Sequence, residues 1–348
     1  MAKVTAKEIA AKLGLSASAV SLALNGKPGV SEDTRAQVLE AAMQMGYTRP
    51  GASGVPIQNK TICFLRYAGP FLKVAESTSF STFVMQGVET RATELGYGIQ
   101  VRYLNSNDLY NPQTVESLRQ ANGIVLLGTD ITPQLLPEME RLLTYLDRCP
   151  VVVVDSMMLS DRVDSVINDG VGGARAATEH LLRTGHRRIG YVRAKQRIRN
   201  LEEREQGVQQ ALMGAGMKPA AIIEVDVSSE LAFRDFDAWI QSQEQMPDGL
   251  FADNDILAAA AIRALKKNGY RVPGDVSVIG FDDIPTCEML DPPLSTVHAY
   301  KDELGAIAVE HLHRRIQRGE IPHQMGNVGL LSTTLSTRLV HRASVRSR

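Results

Sequence analysis

The chain has 348 residues, of which 44% are hydrophobic and 22% charged, and its formal net charge is −1. This length suits two or three compact units, and the composition is that of a soluble globular protein. There is no run of eighteen apolar residues, and the first thirty residues lack an apolar signal core, so we expect a cytoplasmic protein without a membrane span. The three cysteines lie far apart without metal-binding spacing, so we expect buried thiols, no metal and no cofactor.

The N-terminal segment 1–47 has the pattern of three short helices. Thr5 and Glu8 have the spacing of a capping box, which predicts the start of the first helix. Gly14 allows a left-handed turn, and Ser16 is a suitable cap for a second helix. Two short helices joined by such a turn fit a helix-turn-helix, although a three-helix bundle without a nucleic-acid role has the same spacing.

In a helix-turn-helix the second helix enters the major groove, and residues near its N-terminus reach the base edges. In this chain those residues are Ser16, Ala17, Ser18, Ser21 and Leu22. Hydroxyl groups can bind phosphates or bases, and the methyl groups of Ala17 and Leu22 can contact thymine. The first sixty residues carry seven Lys or Arg against four Asp or Glu, which is compatible with phosphate contact.

A linker rich in Pro, Gly and Ser occupies 48–60, and after it apolar runs alternate with helical stretches. This alternation predicts an α/β fold with doubly wound parallel sheets. Nine apolar runs are too many for one small sheet, so we expect two lobes. The predicted strands are TICFLRY (61–67), GIQVRYL (98–104), GIVLLG (123–128), VVVVD (151–155), SVIND (165–169), RIGYVR (188–193), IIEVDV (222–227), GLFAD (249–253) and VSVIGFDD (276–283).

Ligands of open α/β sheets bind beyond the carboxyl ends of the strands. Polar residues at those predicted ends include Asp155, Asn254 and Asp282. Carboxylates and amides suit ligand hydroxyls because each can make more than one hydrogen bond. The alternative is that each of these side chains only caps the helix that follows.

The segment 4–47 resembles the DNA-binding head of the LacI/GalR repressor family through VTAKEIAAKLGLSASAVSLALNGKPGVSEDTRAQVLEAAMQMGY. Later stretches match in order: HLLRTGHRRIGYV (180–192), ADNDILAAAAIRALKKNGYRVPGDVSVIGFDD (252–283), PPLSTVHAYKDELGAIAVEHLHRRI (292–316) and STRLVHRASV (336–345). The resemblance covers nearly the whole chain. It implies a helix-turn-helix head and a two-lobed, periplasmic-binding-protein-like sensor. It also implies a homodimer, a pseudo-palindromic operator in double-stranded DNA, and a sugar-like small-molecule effector.

The resemblance also implies functional residues at the matching positions. The DNA-binding set is Thr5, Ser16, Ala17, Ser18, Ser21, Leu22, Asn25 and Tyr47. The effector-binding set is Phe80, Ser81, Asp155, Arg204, Asn254 and Asp282. Leu22 stands where many members carry an Arg, and a Leu cannot make a bidentate contact to guanine, so we expect a different operator preference at that base pair.

The resemblance further implies that the sensor, 61–342, is discontinuous because the chain passes between its lobes three times. We expect the N-lobe to comprise about 61–167 and 300–328. The C-lobe then comprises about 168–299 and 329–342, and a tail follows at 343–348.

Two segments are unusual: the linker departs from the family pattern, and the segment 193–199 is rich in positive charge. Gly51, Gly54 and Pro56 oppose the hinge helix that family members form, and no Leu is present there to insert into the minor groove; Ile57 is a conceivable substitute. The segment 193–199 carries four cations, which indicates either a solvated loop or, if the side chains turn inward, an anionic effector.

Two other classes of protein are disfavoured. An enzyme lacks support because no GxSxG motif or P-loop is present, and His311 and His313, two apart on a predicted helix, cannot share a metal. Asp282 and Asp283 with nearby aspartates could suggest a hard metal site, but capping and hydroxyl binding explain them better. A periplasmic sugar-binding protein would share the two lobes, but it would carry a signal peptide and no DNA-binding head.

Overall fold

A computed structural model describes residues 5–24, 29–45, 60–67, 79–105, 108, 111–157, 159–326 and 328–347. The chain forms two compact units, Met1–Asn59 and Lys60–Arg348. Asn25, Tyr47 and Ile57 lie outside the described residues, as does all of the predicted linker except Lys60. Among the described helices, none is both long and apolar enough to cross a bilayer.

The N-terminal unit contains the three predicted helices: α1 (Ala6–Leu13), α2 (Ala17–Leu24) and α3 (Glu32–Gln44). Thr5 and Glu8 form the predicted capping box, in which the Glu8 carboxylate accepts a hydrogen bond of 2.6 Å from the Thr5 backbone N–H. Gly14 ends α1 in the left-handed conformation, with φ 64°. Ile9, Val20 and Val38, one from each helix, are fully buried together and form the centre of the core.

The second unit contains twelve strands and nine helices in its described residues. The strands are β1 (Thr61–Tyr67), β2 (Gly98–Leu104), β3 (Gly123–Leu127), β4 (Val151–Val154), β5 (Asp164–Asn168), β6 (Ile189–Ala194), β7 (Ala221–Val225), β8 (Gly249–Ala252), β9 (Ser277–Asp282), β10 (Ser295–His298), β11 (Ser332–Leu335) and β12 (Arg338–Val340). The helices are α4 (Ser79–Glu94), α5 (Pro112–Arg119), α6 (Leu136–Tyr145), α7 (Gly170–Arg183), α8 (Arg199–Gly214), α9 (Ser229–Gln241), α10 (Asp255–Lys267), α11 (Thr286–Met289) and α12 (Lys301–Arg318). A 3-10 turn, Pro133–Leu135, precedes α6.

These strands form two six-stranded sheets, one for each predicted lobe. The first sheet has the order β11-β5-β4-β3-β1-β2 and is parallel throughout. The second has the order β12-β10-β9-β8-β6-β7, and only its edge strand β12 is antiparallel. Central strands such as β4 are buried on both faces, which explains their unbroken apolar sequence. The predicted α/β class with two lobes is confirmed.

The chain crosses between the sheets three times: after β5, after β10 and between β11 and β12. The predicted position of the last crossing is wrong: the sequence predicts that all of 329–342 belongs to the C-lobe, but part of this segment forms a strand of the first sheet. The strand β11 pairs with β5 of the first sheet, with Thr333 opposite Val166. Its sequence, Ser-Thr-Thr-Leu, has no apolar run, so only its partner strand defines it.

Candidate functional site

The N-terminus of α2 presents a row of small side chains. The Ser16 hydroxyl caps the helix, accepting a hydrogen bond of 3.1 Å from the Ala19 backbone N–H, and it lies 3.0 Å from the Ser18 hydroxyl. Ser16, Ala17, Ser18 and Ser21 are all exposed. Because these side chains are small, a DNA groove could approach the helix backbone closely.

Leu22 differs from the rest of this row because it is half-buried. Its Cδ1 atom lies so close to Gly29 that a Cβ added there would be 3.2 Å away. The Arg35 guanidinium, from α3, donates hydrogen bonds to the carbonyls of Leu22 and Ala23, at 3.4 and 3.1 Å. Arg35 thus caps the C-terminus of α2, a role that the sequence motif alone did not reveal.

A small cavity lies at the carboxyl ends of the strands, where the two lobes meet. Its wall comprises residues from both lobes: Asp155, Met157, Ile167, Asn168, Gly170, Asn200, Glu203, Arg204 and Phe281. Two of the six predicted effector residues, Asp155 and Arg204, line it directly. A third, Asp282, is hydrogen-bonded to Arg204.

Arg204 projects from α8 and is almost fully buried, with 7% of its surface exposed. One terminal nitrogen donates to the Asp282 carboxylate at 2.8 Å, and the other donates to the Asp253 backbone carbonyl. The guanidinium lies over the Phe281 ring, 3.9 Å from its centroid, which is a cation–π geometry. Three different contacts therefore hold this cation at the cavity wall.

Asp155 lies opposite, at the end of β4, in a left-handed conformation with φ 64°. Thr129 donates a hydrogen bond of 2.6 Å to its carboxylate. Burial raises the pKa of Asp155 to about 7, although the Thr129 hydrogen bond and the Arg204 charge lower it. The carboxyl group can therefore act as a donor or as an acceptor near neutral pH.

Asp282 ends β9, also with a left-handed backbone, at φ 107°. Burial raises its pKa, while the charges of Arg204 and Lys301 oppose the increase. The ammonium group of Lys301, at the start of α12, donates hydrogen bonds to the backbone carbonyls of Asp282, Asp283 and Ala299. This buried lysine fixes the strand end on which the Arg204–Asp282 pair depends.

The other three predicted effector residues are not among those that line the cavity. The Asn254 side chain caps α10 by accepting a hydrogen bond of 2.9 Å from the Leu257 backbone N–H. Phe80 belongs to the buried core of the second unit, and Ser81 is buried next to it at the start of α4. For Asn254, the simple capping role therefore accounts for the contact observed.

Sequence reasoning missed several cavity residues, among them Asn168, Asn200 and Glu203. Asn168 is the last residue of β5, whereas the predicted strand 165–169 ends one residue later, at Asp169, which caps α7 by accepting from the Gly172 backbone N–H. The amide nitrogen of Asn168 and Nε of Arg204 are buried and have no hydrogen-bond partner among the described residues. The cavity thus holds two unsatisfied donors as well as carboxylate acceptors.

The four cations of segment 193–199 do not line the cavity, and the side chains of Lys195 and Arg199 are more than half exposed to solvent. Each is paired with a carboxylate: Arg193 with Glu205 and Glu224, Lys195 with Asp235, Arg197 with Asp253 and Glu205, and Arg199 with Glu203. Their positive charge is therefore neutralised within the protein. Among the described side chains, no group of three His, Cys, Asp or Glu is arranged to hold a metal ion.

Comparisons with known proteins agree with this architecture. Residues 5–50 match the model "Bacterial regulatory proteins, lacI family", and residues 178–345 match "Periplasmic binding protein-like domain". The HTH-type transcriptional repressor PurR of Aliivibrio salmonicida is 30% identical over 90% of this chain and 92% of its own length. The Ribose operon repressor of Haemophilus influenzae is 31% identical over the same shares.

A solved structure titled "transcriptional regulator CelR-cellobiose complex" superposes on 98% of this chain and 100% of its own, with a TM-score of 0.67 and 26% identity. The relatives are transcriptional repressors, which confirms the prediction that this chain is not an enzyme. The chain belongs to the lacI family of bacterial regulatory proteins: it is a DNA-binding transcriptional regulator with an effector-binding domain.

Proposed function

We propose that this regulator is a cytoplasmic repressor whose operator affinity is controlled by a neutral, hydroxyl-rich small molecule bound between the two lobes. The observation that carries this proposal is the arrangement of Arg204, Asp155 and Asp282 around one buried cavity. Since the cavity wall comprises residues of both lobes, a ligand there would change how the lobes close, and so could alter the DNA-binding heads.

The polar groups of the cavity suit sugar hydroxyls. A hydroxyl both donates and accepts, so it can satisfy Nε of Arg204 or the Asn168 amide while donating to the Asp155 carboxylate. Phe281 supplies an apolar surface for the C–H face of a sugar ring. The names of two relatives, which refer to cellobiose and to ribose, support the same class of ligand.

An anionic ligand fits the cavity less well. Asp155, Glu203 and the nearby Asp282 bring carboxylates to this region, and Arg204 is already bonded to one of them. The cations of 193–199 are paired with carboxylates, so a phosphate would have to compete with existing ion pairs. We therefore favour a neutral sugar over a sugar phosphate or sugar acid.

We assign operator reading to α2, with Ser16, Ala17, Ser18 and Ser21 at the bases or phosphates and Leu22 at its edge. Exposure of the first four and the helix-turn-helix geometry support this assignment. Thr5 is exposed beside the N-terminus of α1, where its backbone could approach a phosphate. Asn25 and Tyr47 remain assignments from the resemblance.

We also assign dimerisation to the second unit, because two heads are needed to read two half-sites. The strand β2 forms one edge of the first sheet, and β7 forms one edge of the second. These edges expose large apolar side chains, namely Val101 (39%), Tyr103 (48%) and Ile222 (47%). Exposed apolar edge strands favour association, and a second copy of this chain is the occupant that the operator symmetry requires.

A thermal-shift panel tests the ligand assignment. Ribose, cellobiose and ribose 5-phosphate would be compared at high concentration, since a ligand at 100 times its dissociation constant adds about 2.7 kcal/mol of stability. We expect a neutral sugar to raise Tm in the wild-type protein and to raise it markedly less in Arg204→Gln, which should retain operator binding. The control Arg175→Gln removes an exposed cation of α7 and should respond like wild type. A shift by the phosphate alone, or an undiminished shift in Arg204→Gln, would contradict the proposal.

A further inference from the structure

A second, buried charge cluster lies behind Arg204, and it is centred on Asp253. This residue follows β8 and is fully buried. Its carboxylate accepts hydrogen bonds from the Tyr191 hydroxyl, from the Ala194 backbone N–H at 2.8 Å and from Arg197 at 2.7 Å. None of these groups is among the residues that line the cavity.

Arg197 joins two elements of the fold through one guanidinium group. Its Nη1 atom bonds the Asp253 carboxylate at the end of β8. Its Nη2 atom donates to the Leu201 carbonyl at 2.6 Å and to the Glu205 carboxylate at 3.1 Å, both on α8. The planar guanidinium thereby fixes the helix relative to the strand end in both distance and orientation.

Arg204 is attached to the same two elements. It lies on α8 next to Glu205, and it donates a hydrogen bond to the backbone carbonyl of Asp253. If α8 moved relative to the end of β8, Arg204 would lose either this carbonyl or its position over the Phe281 ring. The two elements that Arg197 joins, α8 and the end of β8, are therefore also the two elements that hold Arg204 in place.

We propose that Arg197 is a positioning residue for effector binding: by bridging Asp253 and Glu205, it holds the Arg204 guanidinium at the wall of the cavity. This inference rests on the proposed role of Arg204 as the residue that binds the effector. A buried ion pair is seldom a large net source of stability, since desolvation opposes it. Its specific value is that it selects one orientation of α8 and of the side chains that α8 carries.

Arg193 provides the matched control. It bonds the other oxygen of Glu205, at 2.9 Å, and also Glu224, but it does not contact Asp253. Arg193 lies near the end of β6 and Arg197 in the segment between β6 and α8, and their side chains are similarly exposed, at 26% for Arg193 and 21% for Arg197. Removing Arg193 therefore removes an equal charge and one bond to Glu205, and leaves the bridge to β8 intact.

The first experiment needs no ligand. Crystal structures of wild type, Arg197→Gln and Arg193→Gln would show whether Arg204 still bonds the Asp253 carbonyl. We expect this bond to be lost or displaced only in Arg197→Gln. An unchanged Arg204 in Arg197→Gln would overturn the inference. If Arg197→Gln does not fold, Arg197→Lys replaces it, because a lysine keeps a charge beside Asp253 but cannot reproduce the planar bridge.

The second experiment measures affinity by calorimetry, with ribose and cellobiose as probes. We expect the Arg197 variants to weaken binding about tenfold or more, which corresponds to about 1.4 kcal/mol, and Arg193→Gln to change it less than about twofold. In an Arg204→Gln background the Arg197 substitutions should have no further effect, because they act through Arg204. Equal, additive losses in both backgrounds would overturn the inference. If Arg204→Gln alone left affinity unchanged, the proposed function would fail instead.

Discussion

At the scale of single residues, the cavity is built on unusual backbone conformations. Within the described residues, the only non-glycine positions with positive φ are Asp155, Asp282 and Asp283. Aspartate tolerates this region better than most residues, yet each such position costs on the order of 1–3 kcal/mol and needs support from its surroundings. Thr129 and Lys301 supply that support through hydrogen bonds. The strain lies where the chain meets the candidate ligand.

The raised pKa of Asp155 predicts a dependence of stability on pH. Burial raises the pKa of Asp155 to about 7 in the folded protein, whereas an unfolded aspartate titrates near 3.9. Between these two pH values the folded protein therefore binds one proton that the unfolded chain does not. The contribution of Asp155 is thus greatest below about pH 4 and is lost as the pH rises toward 7. Asp155→Asn, which cannot ionise, should raise Tm by about 2 °C or more at pH 8.

The advantage of Asp155→Asn should shrink as the pH falls toward 5, because the wild-type carboxyl is then protonated too. Melting curves of both proteins between pH 5 and pH 8 measure this. Asp275→Asn is the control, since Asp275 is a half-buried carboxylate in an ion pair with Arg271, whose hydrogen bonds lower its pKa. An effect of Asp155→Asn on Tm that is equal at both ends of the range would show that Asp155 does not titrate between pH 5 and pH 8.

At the scale of elements, α2 is held by its two ends. Ser16 caps its N-terminus and Arg35 binds the carbonyls at its C-terminus, so the exposed row between them has a defined orientation. Leu22 lies at the boundary of this row, packed near Gly29. Operator preference should therefore depend on the small residues first and on Leu22 second.

Leu22→Arg tests the reading role of α2. A longer, charged side chain there should reach a guanine edge, and it would change the preferred base at one position of each half-site by about 1–3 kcal/mol. Selection from a random duplex library measures the preference of both proteins. Gln37→Arg adds the same charge at an exposed site on α3 and should change affinity without altering the selected sequence. Identical sequence preferences for Leu22→Arg and wild type would show that Leu22 does not face the bases.

At the scale of the whole molecule, both lobes contribute residues to one cavity, and the chain crosses between them three times. The helix α12 follows one crossing and packs on α4 of the first lobe, while its Lys301 binds the strand end of the second. Closure of the lobes is thus coupled to the residues around the cavity by direct contacts.

Dimerisation and DNA binding should be lost together. Val101→Asp combined with Ile222→Asp places a charge on each exposed edge strand, which should yield monomers in analytical ultracentrifugation. Operator affinity should fall, and its steep decrease with salt should become shallower, because log K falls with the logarithm of the salt concentration with a slope of about −0.9 for each phosphate neutralised, and a monomer neutralises fewer phosphates. Met213→Asp, at a strongly exposed apolar site on α8, is the control and should remain dimeric. A double variant that stays dimeric would place the interface elsewhere.

Local signals in the sequence were sufficient for much of this fold. The apolar runs identified nine strands, most clearly the central ones, which are buried on both faces. Thr5, Glu8 and Gly14 marked the ends of α1 because caps depend on neighbouring residues. The polar strand ends located the cleft because ligands of open α/β sheets bind beyond the carboxyl ends of the strands. The proposed effector-binding role of Arg204, in contrast, came from resemblance to a family.

Only the tertiary structure decided which of these groups meet. Arg197 and Asp253 lie 56 residues apart, and Arg204 and Asp282 lie 78 apart, so no local pattern could pair them. Three of the four cations that suggested an anionic ligand are paired with such remote carboxylates, and Arg199 is paired with Glu203 on the same helix. The strand β11 belongs to the first sheet for the same reason: a short polar segment has no preference of its own, and its hydrogen bonds come from the strand it lies beside.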